Sequence, residues 1–285
     1  MKEYHILNLG AGVQSTMVYM LAAMKHPAIA KYMPHIDLAI FADTGDEPRA
    51  VYDHLEWLKG LDGPEILVRT RGCLGDDIKA ASSDSTKRVA QMPAFTNGGD
   101  GLMMRQCSKE YKTEVIEKCI RREVVGLKPR QRFPVKDVHI HEYLGLSFDE
   151  AKRVLRVRAS FGKIPWATSH FPLFETNTDR EGCKGWLLGR VPHTVPRSAC
   201  SFCPFHDNEE WQAIYRDDPT NPDWIRAVEI DAALRSGSFI DGTRKNREQM
   251  YVHRSCVPLP DADITVKEPP WEFGFVRDCT GMCGV

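Results

Sequence analysis

Apolar positions along the chain fall into two alternating patterns. Short, nearly continuous apolar runs of strand length occur near residues 4–9, 38–42, 65–69 and 138–146. Between and after them come stretches whose apolar residues recur three and four apart, near 15–25, 48–59, 109–121 and 148–157, with Val51, Leu55 and Leu58 as the clearest set. Buried strands alternating with amphipathic helices predict an α/β fold, a doubly wound parallel sheet covered on both faces. Residues 82–104, rich in Ser, Asn, Gly and Met, read as a long mobile loop of the kind that serves as a lid or binding segment. After about residue 165 the pattern changes to short helices punctuated by Pro, Gly and Cys. The expected organisation is therefore one domain over 1–165 and a smaller Cys-rich, mainly helical region over 166–285, without internal repeats.

Chemistry concentrates where the first strand meets the first helix. Leu9-Gly10-Ala11-Gly12-Val13-Gln14-Ser15-Thr16 bends an apolar run through a glycine-flanked turn into a helix. Gly10 and Gly12 remove side chains where backbone must approach an anion, and Ser15 and Thr16 add hydroxyls beside the N–H groups and positive dipole end of that helix. The turn predicts a phosphate site. It lacks the lysine of a Walker A loop and the third glycine of a dinucleotide fingerprint. The second strand repeats the plan, because residues 38–42 run into Asp43-Thr44-Gly45-Asp46-Glu47-Pro48 and then a helix bearing Tyr52.

The first turn resembles the PP-loop of ATP pyrophosphatases, Ser-Gly-Gly-x-Asp-Ser, with Leu9 at the first Ser, Gly10 and Gly12 around Ala11 at the paired glycines, and Gln14 at the Asp. The Ala-Asp-Thr-Gly segment at 42–45, followed by Glu47 and Pro48, resembles the second strand of the phosphoadenosine phosphosulfate (PAPS) reductase family, within the adenine nucleotide alpha hydrolase superfamily. Arg105-Gln106-Cys107-Ser108-Lys109 stands where that family carries a cysteine followed by a lysine. The segment Gly145-Leu146-Ser147-Phe148-Asp149-Glu150, continuing to Arg153, resembles its Gly-x-x-x-x-Glu-x-x-x-Arg loop, with the Arg one residue nearer the Glu. The resemblance implies a Rossmann-like domain over 1–165 that binds an adenine nucleotide. Gly10, Ala11, Gly12, Gln14, Ser15 and Thr16 would grip ATP with Mg²⁺, Asp43, Thr44 and Gly145 would sit at adjoining strand ends, and Arg105, Lys112 and Arg153 would face phosphate oxygens.

Composition narrows the class. The chain has 285 residues, 42% of them hydrophobic, and a net charge of −1. That balance gives no global pull toward nucleic acid, so a tRNA or DNA acceptor would use local basic clusters such as Arg121-Arg122, residues 128–132 or residues 152–158. No apolar stretch approaches twenty residues, and the first strand begins near residue 4, so the expectation is a cytoplasmic protein without a membrane partner.

Nine cysteines in uneven groups point to metal rather than to a disulfide framework. Cys200-Ser201-Phe202-Cys203-Pro204 is a Cys-x-x-Cys loop followed by Pro and resembles iron-sulfur loops. With Cys183 upstream and Cys107 from the first domain, four thiolates are available for a 4Fe-4S cluster. Structural Zn²⁺ on Cys183, Cys200, Cys203 and either His206 or His193 is the rival. Cys279 and Cys283 lie on a glycine-containing C-terminal tail, as PAPS reductases carry a redox-active cysteine near a flexible end, although their Glu-Cys-Gly-Ile-His ending is absent.

The combined expectation is an enzyme that adenylates an acceptor with ATP and then transfers sulfur from a donor protein or sulfide, with Cys279, Cys283, Arg105 and Lys112 in catalysis. A homodimer is compatible with this reading. A sulfonucleotide reductase and a nucleotide-binding subunit with structural zinc are the alternatives. Release of pyrophosphate separates the first from both.

Overall fold

The structure is a computed structural model that describes residues 1–84, 86–87, 92–97, 105–236, 240–241, 244–245 and 249–266. Its centre is a five-stranded sheet, all parallel, built from β1 (Lys2–Leu9), β2 (Leu38–Asp43), β3 (Glu65–Thr70), β5 (Val138–Leu144) and β6 (Ala167–His170), in the order β3-β2-β1-β5-β6. The short β4 (Phe95–Thr96) lies outside this sheet. The order reverses between β1 and β5, so neighbouring crossovers leave those strands in opposite directions and a crevice opens at their carboxyl ends. This is an α/β fold compatible with a Rossmann-like arrangement.

Both sheet faces are buried, which explains the continuous apolar runs. Leu7, Leu9, Ala39 and Phe41 face α1 (Val13–Ala23), α2 (Arg49–Lys59) and α7 (Arg180–Leu187). Ile6, Ile40, Ala42 and Leu144 face the opposite layer, where α4 (Glu114–Cys119) and α5 (Ala151–Phe161) contribute Val115, Ile116, Val154 and Val157. Along α2 the residues Val51, Leu55 and Leu58 are buried while Glu56 and Lys59 are exposed, the stripe expected of a helix packed on a sheet. A third apolar cluster joins α3 (Leu74–Ser83), α8 (Asn208–Tyr215) and α9 (Pro222–Ser236) around Trp211, Trp224 and Phe202.

Several expectations shift. The stretch read as a loop over 82–104 contains the end of α3 and β4, which pairs antiparallel with a two-residue strand, Met250–Tyr251. The rest of that segment lies largely outside the described residues. The helix expected at 109–121 runs longer, with π-type turns at Lys109–Thr113 and Ile120–Val124 on either side of α4. Both α3 and β6 escaped the reading. No side chain caps the start of α3 at Cys73, and β6, Ala-Thr-Ser-His, is too short and polar to register as an apolar run. Because β6 follows residue 165, the parallel sheet draws strands from both sides of that point. Beyond it, α6 (Pro172–Glu175) and α7 return to the α1 side of the sheet, where α7 packs on α1. Among the described residues no helix is long and apolar enough to cross a membrane.

Candidate functional site

The turn after β1 lies at the β1/β5 crevice. Ala11 is fully buried with φ of +57°, a left-handed conformation that costs a non-glycine residue about 1 kcal/mol or more and commonly marks functional turns. At the start of α1 the Ser15 hydroxyl accepts from the Gly12 N–H at 3.2 Å, satisfying one of the donors a helix start leaves over. The loop after β5 presses directly on this helix start. A Cβ on Gly145 would meet the Ser15 amide nitrogen at 2.8 Å, so only glycine allows the approach.

Gln14 is buried and ties the two loops together. Its amide donates to the Ser147 hydroxyl at 3.2 Å and to a Glu150 carboxylate oxygen at 3.1 Å, and its carbonyl accepts from Arg180 at 3.4 Å. Arg153 donates to Glu150 at 2.7 Å. Gly145 packs on the turn, and Arg153, expected to face phosphate, is linked to it through Glu150, which matches its charge within the chain. Thr16 differs from expectation: its hydroxyl bonds His54 Nε2 at 2.8 Å, and His54 Nδ1 in turn lies 2.8 Å from His193 Nε2. Burial, reinforced by His193, pushes His54 down to about 4, so the imidazole is neutral at physiological pH.

The second turn is tightly pinned. Asp43 accepts from the Gly45 N–H at 2.8 Å and from the Tyr52 hydroxyl at 2.9 Å. Thr44 is buried, with its hydroxyl 3.1 Å from the Cys200 sulfur. Glu47 accepts from Lys112 Nζ at 2.8 Å and from the Ser198 hydroxyl at 3.3 Å, deep in the protein. Lys112, expected to face phosphate, is thus already paired with a carboxylate. Asp46 accepts from Arg226 at 2.7 Å and from the Gly75 N–H at 2.6 Å.

A cavity beside Thr44 is lined by Arg105, Cys107, Lys112, Cys200 and Cys203. Three of the four anticipated metal thiols therefore share one space, next to two cations. The Arg105 guanidinium also sits 4.7 Å from the centre of the Phe205 ring. The cavity adjoins the glycine turn, because a Cβ on Gly12 would lie 3.6 Å from the Ser198 nitrogen, two residues before Cys200. Burial, with Glu47 nearby, pushes the Cys200 thiol well above its usual range, so a soft metal would have to displace its proton on binding.

Cys183 is elsewhere. It is buried in the apolar layer between α7 and α1, where desolvation, with Asp149 nearby, pushes its thiol up to about 12. The sequence grouped it with Cys200 and Cys203 by proximity along the chain, but its place on the inner face of α7 makes it a core residue. His193 belongs to the His54 pair, and His206 directs Nε2 to the Cys200 carbonyl at 2.9 Å. Among the described residues no three thiols have their sulfurs within 4.8 Å of one another. Cys279 and Cys283 lie outside the described residues.

Ser147, Arg180 and Ser198 join the site without having been singled out, and Glu47 and Glu150, noted only as parts of the motif resemblances, join with them. A signal existed for two of them: Ser147-Phe148-Asp149-Glu150 is a capping-box pattern, and its Glu150 reaches back to the Ser147 N–H. Comparison of the chain with family models, curated proteins and solved structures finds no match to any of them.

Proposed function

We propose that this chain is an ATP pyrophosphatase that adenylates an acceptor and passes it sulfur, built on a Rossmann-like domain of the adenine nucleotide alpha hydrolase type with a cysteine-rich C-terminal region. One observation carries the reading: the Gly10–Thr16 turn and the cavity bearing Cys107, Cys200 and Cys203 adjoin each other at the carboxyl ends of β1 and β2, joined through Ser198. Nucleotide activation and sulfur delivery need such adjacency. Neither motif alone would require it.

In the first half-reaction an acceptor oxygen bonded to carbon attacks the α-phosphorus of ATP, a new P–O bond forms, and the bond to the β-phosphate oxygen breaks to release pyrophosphate. The amides at the start of α1 and the Ser15 hydroxyl would orient the phosphates, with Mg²⁺ offsetting their charge. Arg105 stands on the same cavity wall and would steer an anion toward it. In the second half-reaction sulfide, free or delivered by a donor protein at the same oxidation level, attacks the acceptor carbon through sulfur, the C–O bond breaks, AMP leaves and the sulfur gives up its proton. A tRNA or DNA base carbonyl has the chemistry this needs.

Cys107, Cys200 and Cys203 would hold a 4Fe-4S cluster, which supplies soft-sulfur chemistry when bound. The rival zinc site loses Cys183, which lies in the core, and His193, which pairs with His54, and a cluster would put each of the three thiolates on its own iron.

The test is to incubate the anaerobically purified chain with α-labelled ATP, Mg²⁺, sulfide and either tRNA or DNA. Labelled AMP with equimolar pyrophosphate supports the reading. Formation of ADP and phosphate, or no cleavage with either acceptor, overturns it.

A further inference from the structure

Far from the cysteine cavity, toward the amino ends of β1 and β5, alternate residues of three strands place Glu3, His5, His139, His141 and His170 on one face of the sheet. The parallel register sets His5 beside His141, and Tyr143 beside His170. This is the α1 face, because Leu7 and Tyr143, in the same alternation, pack into that layer. The His5 and His141 rings stack with centroids 4.6 Å apart, and the His170 ring sits tilted against His141 at 5.1 Å. A sheet face with this many imidazoles buries little apolar surface, so packing alone does not account for it.

Each of the two central imidazoles has its Nδ1 held by an outer partner. His5 Nδ1 lies 2.8 Å from the Tyr143 hydroxyl, and His141 Nδ1 lies 2.9 Å from His170 Nε2. His141 Nε2 is buried without a hydrogen-bond partner and stands 3.7 Å from a Glu3 carboxylate oxygen. One donor atom from each of Glu3, His5 and His141 lies within 4.8 Å of the other two, and no other group of three such residues meets that spacing among the described residues. Metal-bound histidines characteristically have their second nitrogen fixed by an outer partner. Here Tyr143 and His170 already occupy that place.

We propose that Glu3, His5 and His141 bind one divalent cation of the borderline class that imidazole and carboxylate share, Zn²⁺ or Co²⁺, with Tyr143 and His170 orienting the ligand rings. Donor bonds of about 2.0–2.2 Å require the three groups to close by roughly 1 Å from their present spacing. Glu3 can swing in readily, since its side chain is 52% exposed. Three protein ligands leave the remaining coordination positions to water. The site clamps β1 to β5 at the end of the sheet opposite the Gly10–Thr16 turn, so its occupancy is independent of the nucleotide chemistry proposed above.

Cobalt distinguishes this site from the cysteines. The full chain, stripped with chelator, is titrated with Co²⁺ at neutral pH. The expected result is one equivalent showing weak visible bands without sulfur-to-cobalt charge transfer, since no thiolate is involved. Glu3→Gln, at a half-exposed position that leaves the fold intact, should weaken that binding about ten-fold or more, and His141→Gln should abolish it. Only thiolate-type cobalt absorption, or nitrogen/oxygen-type binding unchanged in Glu3→Gln, would overturn the proposal.

Discussion

Lys112 Nζ lies 2.8 Å from the Glu47 carboxylate, and the two side chains are 6% and 0% exposed. A cation and an anion buried together tie the helical segment after Cys107 to the turn after β2. Removing one partner strands the other's charge, so Lys112→Met should cost about 3–5 kcal/mol in urea unfolding, while Lys112→Met with Glu47→Leu should recover much of it. A loss below about 1 kcal/mol for the single variant would mean that the pair contributes little and that Lys112 is held for another task.

The cysteines divide by position. Cys107, Cys200 and Cys203 line one cavity and Cys183 lies in the core beneath α7. In anaerobically purified protein, Cys200→Ser and Cys203→Ser should lose bound iron, whereas Cys183→Ala should retain it and lose only about 1–2 kcal/mol of stability through the small void it leaves. Iron and sulfide analysis of the three variants checks this. Iron lost from Cys183→Ala alone would reverse the assignment.

Much of this was legible in the sequence because it is local. The runs that became β1, β2, β3 and β5, and the Gly10–Thr16 turn, are set by residues adjacent along the chain. What stayed hidden depends on the third dimension. Cys183 sits seventeen residues before Cys200, yet a helix face decides its surroundings. The pairing of Lys112 with Glu47 turned an expected phosphate ligand into an internally neutralised pair, and no spacing rule announces a partner sixty-five residues away, whereas that of Arg153 with Glu150, three residues apart, is open to a reading of helical spacing. The histidine face of β1 and β5 was equally invisible, since only the register of parallel strands brings His5 beside His141.

Glu142 gives the fold a pH dependence of known sign. Burial pushes its carboxyl up to about 7 from the ordinary 4.5, against the opposing pull of the Asn8 amide 2.8 Å away. Between those two values the folded chain binds the proton that the unfolded chain has released, so stability falls as pH rises, by about 3 kcal/mol in total. Glu142→Gln keeps an acceptor for Asn8 and removes the titration. Its stability relative to the parent should therefore grow from pH 4.5 to pH 7 and then level off. Parallel pH profiles for the two proteins would show that Glu142 does not titrate in this range.

The proposed activity stands or falls on nucleotide recognition at the β1/β5 crevice, and calorimetric titration of the full chain with ATP in the presence of Mg²⁺ addresses it most directly. The account predicts stoichiometric binding that Ser15→Ala weakens by about 1 kcal/mol or more, the usual loss of a hydrogen bond to a charged group. Gly145→Ala should weaken it further, because its Cβ would drive into the Ser15 amide. No heat of binding for ATP, or binding indifferent to both substitutions, would contradict it.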